Sequence, residues 1–401
     1  MRKLLLLLVI SMSFSGIAQE RDTLKVMSYN LLKFPGGSPE RIDTLKDILA
    51  YVKPDIFMVC ELTSGSGANS ILFNALNEGG ESAYDMADYI GGPDTENMLY
   101  FNTDKLGLIE QHVIPTDLRD INEYVLYYKS DDIASTTDTT FFYVYVCHLK
   151  ASTGFEEQRN NEAIALKTYM NSRPNRENII VGGDFNLYGS DTEPAWNTIL
   201  TGGGITIKDP LTLPGHWHND PGYAWAHTQS TRTEEFDGGA YGGMDDRFDF
   251  IFIGEDLKTY ANDALYINNS YKAIGQDGLH FNKSLIEAPT NNSVPAPILS
   301  NLYHMSDHLP IYLEIEVVKE GASLEEVNLP KIEAYYNAES NELILKHGEA
   351  GTLYTLFDLS GKKVQELSLP SGNTIDMSWL ESGAYILRNN QSAATFKFVK
   401  P

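Results

Sequence analysis

The 401-residue chain has few cysteines and a shortage of basic residues. Its two cysteines, Cys60 and Cys147, are too few for a disulfide scaffold or for a zinc site built from thiolates. Only 30 lysines and arginines stand against 55 aspartates and glutamates, and the formal net charge is −25. These numbers exclude a broad basic surface for a polyanion, so any grip on phosphate must be local.

The chain also lacks long apolar runs, apart from one at its N-terminus. Arg2 and Lys3 precede a run of leucines with Val9 and Ile10, and small residues follow at the positions that a cleavage site requires. Serines interrupt the run well before the roughly 20 apolar residues that a membrane anchor needs. We therefore predict a signal peptide at residues 1–18 and no transmembrane anchor.

The remaining sequence divides into two parts of different pattern. Residues 19–318 alternate strand-like and helix-like segments, which predicts an α/β domain. Residues 319–329 are charged and small, without a hydrophobic period, and predict a linker. Residues 330–401 consist of short alternating runs that predict a small all-β sandwich. Nearly all of the acidity lies before this tail, since residues 19–329 carry a net charge of −26.

The α/β part contains clear periodic segments. Apolar residues at helical spacing predict a helix that is capped by Ser38, has Pro39 in its first turn and ends near Val52. A second helix is predicted around residues 156–170. The predicted strands cover residues 23–31, 55–62, 140–148, 178–182, 247–253 and 310–318.

Polar side chains stand in or just beyond these apolar strands, at the positions where α/β sheets form their sites. One carboxylate at a strand end is most often a solvated terminus, but a whole set in this arrangement indicates a shared site. The set consists of Asn30, Glu61, His148, Asp184, Asn186, Asp249, Asp307 and His308.

The alternation of side chains along a strand predicts contacts within this set. Asp184 and Asn186 stand two positions apart, so an extended backbone places both on one side, where they can touch a common ligand. Asp249 shares its face with two isoleucines, so its carboxylate enters a dry layer and needs a partner. His308 can be that partner, because a buried carboxylate would fix the tautomer of its imidazole and favour the protonated form.

Several segments together carry a resemblance to a known family. They are MSYNLL, DIFMVCEL, VYVCHLKAS, IIVGGDFNLY, RFDFIFI and MSDHLPIYLEI. In this order and spacing, residues 22–318 resemble the endonuclease/exonuclease/phosphatase superfamily, the DNase I-like metal-dependent phosphoesterases. The resemblance implies a four-layer α/β/β/α sandwich of two mixed sheets, followed here by the small β-sandwich.

The resemblance also implies a metal site. Glu61 is the position of the main ligand of a divalent cation, and Asn30 and Asp307 lie close to the same ion. The cation is expected to be magnesium. Hard carboxylate and amide oxygens without thiolates suit magnesium, and they suit manganese and calcium as well.

The remaining positions are implied to act on water and phosphate. Asp184 would orient or deprotonate the attacking water, and Asn186 would position the water and the phosphate. His148 and His308 would hold the non-bridging oxygens as negative charge develops, and Asp249 would orient His308.

The sequence departs from the family pattern at two places. Cys60 stands where glutamine is common, and residues 97–102 lack a basic residue that many members carry, which leaves the substrate class open. Both cysteines precede site residues, so we predict buried thiols rather than a disulfide.

A long loop contains His216, His218 and His227, for which we prefer a packed or substrate-facing role over zinc binding. Three segments are candidates to border the pocket, since long loops in compact domains are often functional: HTQSTR at residues 227–232, Asp245 with Asp246, and His280 to Asn282.

The tail resembles a C-terminal sorting domain of type IX secretion, through residues 357–364, 380–388 and 397–400. The alternative is a generic carbohydrate-binding or immunoglobulin-like sandwich. The resemblance implies the type IX secretion machinery as a partner and a location outside the cell or on the outer-membrane surface.

For the activity we predict a secreted nuclease that hydrolyses phosphodiester bonds of extracellular nucleic acid. The alternative is a phosphatase or a phospholipid or sphingomyelin-type phosphodiesterase that acts on smaller phosphoesters with the same site. A non-catalytic surface binding module is less favoured, because every implied catalytic position is filled.

Overall fold

The computed structural model describes residues 20–78, 83–133, 139–174, 176–235, 237–259, 261–319, 332–338, 340–346, 349–358, 362–391 and 394–401. The chain divides into two compact units, residues 1–321 and 322–401. The predicted signal peptide lies outside the described residues, as does the predicted linker except for Lys319.

The larger unit is built from strands and helices in alternation. Its helices are α1 (Arg41–Val52), α2 (Gly65–Ile71), α3 (Glu156–Ser172), α4 (Pro194–Thr201) and α5 (Ala296–Met305). Its strands are β1 (Arg21–Phe34), β2 (Ile56–Leu62), β3 (Tyr84–Met86), β4 (Glu96–Asn102), β5 (Leu106–Ile114), β6 (Ile121–Tyr128), β7 (Phe141–His148), β8 (Ile180–Asp184), β9 (Ile207–Lys208), β10 (Asp249–Gly254), β11 (Ala264–Tyr266), β12 (Lys272–Ala273) and β13 (Ile311–Val318). Short π and 3-10 turns cover Leu72–Leu76, Pro221–Ala226 and Asp256–Lys258.

These strands form two mixed sheets. The first has the order β11-β13-β1-β2-β4-β3, with β12 also paired to β13, and the second has the order β5-β6-β7-β8-β10-β9. Each sheet contains one parallel pair at its centre, β1 with β2 and β7 with β8, while its other pairs are antiparallel.

The alternation of β10 shows how the layers are filled. Ile251 and Ile253 belong to the core that joins the two sheets and continues under α1 and α5. Phe250 and Phe252 point the other way, into a second core beneath α3 and α4. Both faces of the strand are therefore buried, and the predicted four-layer α/β/β/α sandwich is confirmed.

The start of α1 differs from the prediction. Ser38 and Pro39 precede the helix in a turn, in which the Ser38 carbonyl accepts the Arg41 amide at 3.2 Å. Glu40 occupies the N-cap position and makes no side-chain capping bond. The expected cap was therefore wrong. Strands β5 and β6, whose residues the sequence patterns did not single out, extend the second sheet.

The smaller unit is all-β. Its strands are β14 (Ala334–Asn337), β15 (Glu342–Leu345), β16 (Leu353–Asp358), β17 (Lys363–Ser368), β18 (Thr374–Asp376), β19 (Gly383–Asn389) and β20 (Thr395–Lys400). They form two sheets, β14-β15-β18 and β17-β16-β19-β20, around a core of their own. Residues 359–361 of the first predicted sorting motif lie outside the described residues. Among the helices that the structure describes, none is long and apolar enough to cross a membrane.

Candidate active site

The central parallel strands bring the predicted polar residues together. Asn30 lies opposite Cys60 in the β1–β2 pair, and His148 lies opposite Asp184 in the β7–β8 pair. Asp249 begins β10 opposite Asp184. A hydrogen bond of 3.0 Å from Asn30 Nδ2 to Asp184 Oδ2 joins the two sheets. The polar residues therefore converge at one end of both sheets.

Two glycines before Asp184 make this approach possible. A Cβ on Gly182 would lie 2.4 Å from Cε of Met58 in the opposite sheet. Gly183 has a φ of +140°, and a Cβ there would lie 1.8 Å from the carbonyl oxygen of Cys147. Gly183 therefore admits only glycine, and a side chain at Gly182 would require Met58 to shift, which accounts for the GGD sequence at the end of β8.

Glu61 is held at the end of β2 by its backbone and by two donors. Its φ of 61° lies in the left-handed region, which is strained for a side chain of this kind. Its carboxylate accepts Asn30 Nδ2 and the Lys33 amide, both at 3.0 Å. Burial raises the pKa of the Glu61 carboxyl, and the negative charge of Asp307 adds to the rise. A cation bound to this carboxylate would offset both the burial of its charge and the repulsion from Asp307.

Asp184 occupies the centre of the site. Its Oδ1 accepts the Asn186 amide at 3.0 Å, and Asn186 Nδ2 donates to the Leu149 carbonyl at 3.2 Å. Its Oδ2 lies 3.6 Å from His148 Nε2 and 3.7 Å from His308 Nε2. Burial raises the pKa of Asp184 to about 7. A carboxylate with such a pKa is matched to proton transfer near neutral pH.

His148 is buried in surroundings that favour its neutral form. Burial lowers the pKa of its imidazole well below the usual value, and the positive charges of Arg119 and His308 act in the same direction. Its Nε2 lies 3.8 Å from Glu61 Oε1, and its Nδ1 makes no hydrogen bond within the described residues. A neutral imidazole can still donate one hydrogen bond to a substrate oxygen.

His308 forms a carboxylate–imidazole pair with Asp249, the contact that the alternation of β10 predicted. The distance from His308 Nδ1 to Asp249 Oδ2 is 2.7 Å, and Thr228 Oγ1 donates to the same oxygen at 2.6 Å. Although burial opposes it, the charges of Asp249 and Asp307 raise the pKa of His308 well above its usual value. His308 Nε2 lies 2.6 Å from Gln229 Nε2.

Asp307 faces a loop rather than Asn30 or Glu61. Its Oδ2 accepts the Ala240 amide at 2.7 Å and Gln229 Nε2 at 3.3 Å. It nevertheless acts on Glu61 through its charge, as the raised pKa of that carboxyl shows. Of the predicted metal ligands, the structure brings Asn30 and Glu61 into contact, whereas Asp307 is hydrogen-bonded to Ala240 and Gln229.

The side chains present fit a hard divalent cation. Ligand atoms of Glu61, His148 and Asp184 lie within 4.8 Å of one another, and the Nδ2 of Asn30 donates to the two carboxylates. This set is dominated by oxygen, as magnesium, manganese and calcium prefer. Cys60 offers no thiolate, because its buried thiol contacts the Cys147 carbonyl at 3.3 Å. Both cysteines are free, so the predicted buried thiols are confirmed.

A family model matches most of the larger unit. The model describes the endonuclease/exonuclease/phosphatase family and matches residues 27–308. The chain belongs to this family. Its members hydrolyse phosphoester bonds, and divalent metals are generally required. No curated protein matches the chain.

Solved structures of the family resemble the chain at low identity. Humanized D. rerio TDP2 is 16% identical with a TM-score of 0.49, over 73% of this chain and 98% of that chain. A mannosyl-6-phosphatase from Bacteroides thetaiotaomicron is 17% identical with a TM-score of 0.45, over 73% and 99%. The human nocturnin catalytic domain is 16% identical with a TM-score of 0.43, over 74% and 97%.

The family motifs did not point to Arg41, which supports the site from behind. Its buried guanidinium donates to the carbonyls of Leu31, Leu32 and Met305 at 2.7 to 3.0 Å. It therefore ties the segment after Asn30 to the end of α5. The sequence contained an indication of this role, because Arg41 lies at helical spacing from the buried apolar residues Leu45, Ile48 and Leu49 on one face of α1.

The loop histidines of this family member have separate partners. His227 Nε2 lies 2.8 Å from the Trp217 carbonyl, and His218 Nδ1 lies 2.6 Å from Asp246 Oδ1. His216 Nδ1 lies 3.5 Å from Asp191. The three do not share a ligand position within the described residues. The HTQSTR stretch contributes Thr228, which contacts Asp249, and Gln229, which contacts His308. The sequence analysis did not predict these two partners.

Proposed function

We propose that this protein is an exported, divalent-metal-dependent phosphoester hydrolase that cleaves phosphodiester bonds of extracellular nucleic acid. The observation that carries the hydrolytic part is the environment of Asp184. Its carboxylate has a pKa of about 7 and lies within 3.7 Å of the Nε2 atoms of His148 and His308. A base and two imidazoles thus surround the space where a phosphate can bind.

Asn30, Glu61 and Asp307 would hold the cation, expected to be magnesium, which when bound polarises the phosphate and stabilises the leaving oxygen. Asp184 accepts the proton of the attacking water, and its position is fixed by hydrogen bonds from Asn30 Nδ2 and the Asn186 amide. Because these donors are already in place, the carboxylate needs little reorganisation when the water arrives.

The imidazoles bind the phosphate oxygens as negative charge develops. The Asp249 carboxylate, 2.7 Å from Nδ1, favours the protonated form of His308, whose Nε2–H can donate to a non-bridging oxygen. The 2.6 Å contact with Gln229 Nε2 requires a deprotonated Nε2, because that amide nitrogen is a donor, so the phosphate oxygen would replace Gln229 at this position. His148 supplies a neutral donor from the opposite strand pair. The two donors flank Asp184, which places the base between them.

Hydrolysis of smaller phosphoesters is the second candidate, either by a phosphatase or by a phospholipid or sphingomyelin-type phosphodiesterase. It is favoured by the charge of −26 on residues 19–329. The arginines around the site also have partners already. Arg41 binds main-chain carbonyls, and Arg119 binds Asp94 at 2.8 Å and the Leu149 carbonyl at 3.2 Å. Such arginines are poorly placed to grip a long polyanion.

We propose the domain order signal peptide (1–18), catalytic domain (19–318), linker (319–329) and type IX secretion sorting domain (330–401). The separate core of the all-β unit supports a self-contained tail. The partner would be the type IX secretion machinery, and the location would be outside the cell or on the outer-membrane surface. Fractionation of cells that express the chain with and without residues 330–401 tests this: equal export of both forms contradicts it.

A substrate panel tests the activity. Plasmid DNA, RNA, a chromogenic phosphodiester, inositol phosphates and sphingomyelin are each incubated with magnesium and with chelator. Asp184→Asn serves as the matched control, because it is nearly isosteric but cannot act as a base. Hydrolysis of nucleic acid that requires both the metal and Asp184 supports the proposal. Hydrolysis of small esters alone selects the second candidate, and a lack of hydrolysis throughout contradicts both.

A further inference from the structure

A second cluster of titratable side chains lies in the loops that precede β10. His218 Nδ1 is hydrogen-bonded to Asp246 Oδ1 at 2.6 Å. Ligand atoms of His218, Asp245 and Asp246 lie within 4.8 Å of one another. Asp246 is only 7% exposed, whereas the His218 side chain is 37% exposed. Asp246 therefore lies at the buried bottom of the cluster, and His218 lies at its accessible edge.

Gln229 joins this cluster to the catalytic centre. Its amide nitrogen donates to the Asp246 carbonyl at 3.1 Å, and its carbonyl accepts the Asp246 amide at 2.9 Å. Its side-chain Nε2 lies 2.6 Å from His308 Nε2 and 3.3 Å from Asp307 Oδ2. One residue thus contacts the cluster through its backbone and the catalytic imidazole through its side chain. Gln229 also forms β-bridges with both Asp246 and His308, so the cluster and the catalytic imidazole lie on backbone segments that flank the same residue.

The imidazole of His218 is fixed and has one open nitrogen. Its ring packs edge-to-face on Tyr188 at a centroid distance of 5.0 Å, and Tyr188 packs in the same way on Phe248 at 5.0 Å. Tyr188 stands two positions after Asn186, so the ring is anchored to the catalytic segment. Asp246 occupies Nδ1, while Nε2 makes no hydrogen bond within the described residues. An oriented imidazole with a free nitrogen is suited to binding a ligand.

We propose that His218, Asp245 and Asp246 form a subsite that binds the hydroxyl groups of a sugar attached to the scissile phosphate. This inference rests on the proposed phosphoester hydrolysis and names the part of the substrate beyond the phosphorus. A hydroxyl both donates and accepts, and the cluster offers an imidazole nitrogen and carboxyl oxygens for both roles.

The charge of the cluster argues against other groups at this place. Burial raises the pKa of Asp246 to about 7, and the charge of Asp245 contributes to the rise. Near neutral pH the Asp246 carboxyl is therefore partly protonated and can donate as well as accept a hydrogen bond. A second phosphate would meet carboxylates instead of cations, and an acyl chain would have to bury them. A neutral polar group such as a sugar avoids both penalties.

Matched substrate pairs test the subsite. One arm compares a ribodinucleotide with its deoxyribo counterpart, and the other compares a hexose 6-phosphate with hexyl phosphate. The quantity measured is the ratio of kcat/KM for the hydroxylated and the plain member of each pair. His218→Ala should lower this ratio about five- to tenfold, the value of one hydrogen bond, and His218→Gln should retain more of it. The arm that shows the effect identifies the source of the sugar.

His112→Ala is the matched control, because His112 is also an exposed histidine hydrogen-bonded to a carboxylate, Glu110 at 3.1 Å, but outside the site. It should leave the ratio unchanged. An unchanged ratio in an active, folded His218→Ala protein overturns the subsite and leaves the proposed function standing. Calorimetric binding of the same pairs to Asp184→Asn removes the dependence on turnover: equal affinities within both pairs overturn the subsite even if hydrolysis is absent.

Discussion

The pairing of Asp249 with His308 can be separated into charge and geometry by one substitution. His308 Nδ1 and Thr228 Oγ1 both donate to the same oxygen, Asp249 Oδ2, at 2.7 and 2.6 Å. In Asp249→Asn the side-chain carbonyl oxygen can take this place and keep both hydrogen bonds. The substitution therefore removes the negative charge while preserving the contacts. Asp249→Ala removes both.

The magnitudes follow from the burial of Asp249, which is 1% exposed. A hydrogen bond to a charged group contributes about 1 kcal/mol or more beyond a neutral one, so Asp249→Asn should lower kcat by at least about fivefold. The pKa of His308 should fall, because a carboxylate that raises it is gone. Asp249→Ala leaves two buried donors without a partner, and we expect about 2–4 kcal/mol of lost stability and roughly 100-fold lower kcat.

The assay is a pH series of kcat on the best substrate of the panel, with thermal unfolding as the measure of folding. Since His308 must be protonated to donate, the alkaline limb of the profile should move to lower pH in Asp249→Asn. A double-mutant cycle with His308→Ala supplies the decisive comparison, because Asp249→Asn should cost nothing further when the imidazole is absent. Additive losses in the double mutant would refute the claim that Asp249 acts through His308.

The other predictions concern the metal, the imidazoles, the central carboxylate and salt. Glu61→Ala should abolish turnover and weaken magnesium binding without unfolding, measured by activity and calorimetry; full activity in chelator would contradict it. His148→Ala and His308→Ala should each lower kcat roughly 100-fold, and a loss confined to KM would count against their role. Asp184 has a pKa of about 7 in the folded protein, against 3.8 for an ordinary aspartate. Its contribution to stability is therefore fully present below pH 3.8, and it is lost as the pH rises through 7 and the buried carboxyl must ionise. In metal-free protein at pH 8, Asp184→Asn should therefore raise the free energy of unfolding by about 2–4 kcal/mol, and a lower melting temperature than wild type would contradict this. The acidity predicts a shallow salt dependence of kcat/KM on duplex DNA, and a log-log slope as steep as roughly −5 would reveal a basic groove.

The sequence predicted the parts of the site that follow from local periodicity. The period of two along β10 placed Asp249 toward the dry layer, and the glycines before Asp184 indicated close backbone approach. The central strands and α3 were found because both faces of a buried strand are apolar and a helix repeats every 3.6 residues. These signals are contained within single segments of the chain.

The contacts that were missed depend on long-range packing. Gln229 stands 79 positions before His308, and its role arises only when the loop before β10 folds against the start of β13. Arg41 acts on carbonyls at Leu32 and Met305, groups that every residue has and no motif marks. Strand β5 has two consecutive exposed residues, Ile109 and Glu110, where its register shifts, and it lies at the edge of its sheet, so its apolar alternation is interrupted.

The acidity of the chain and the burial of its site together explain how such a protein can handle phosphate. Four carboxyl groups, those of Glu61, Asp184, Asp249 and Asp307, lie in or beside one site, and of its two imidazoles only His308 has a pKa that favours the cationic form. Burial raises the pKa of Glu61 and of Asp184, so in the absence of a cation these carboxyls hold protons more tightly than exposed ones. Protons and a divalent cation therefore compete for the same oxygens. When the cation replaces the protons on these oxygens, it would supply the positive charge that phosphate requires and that the acidic chain lacks.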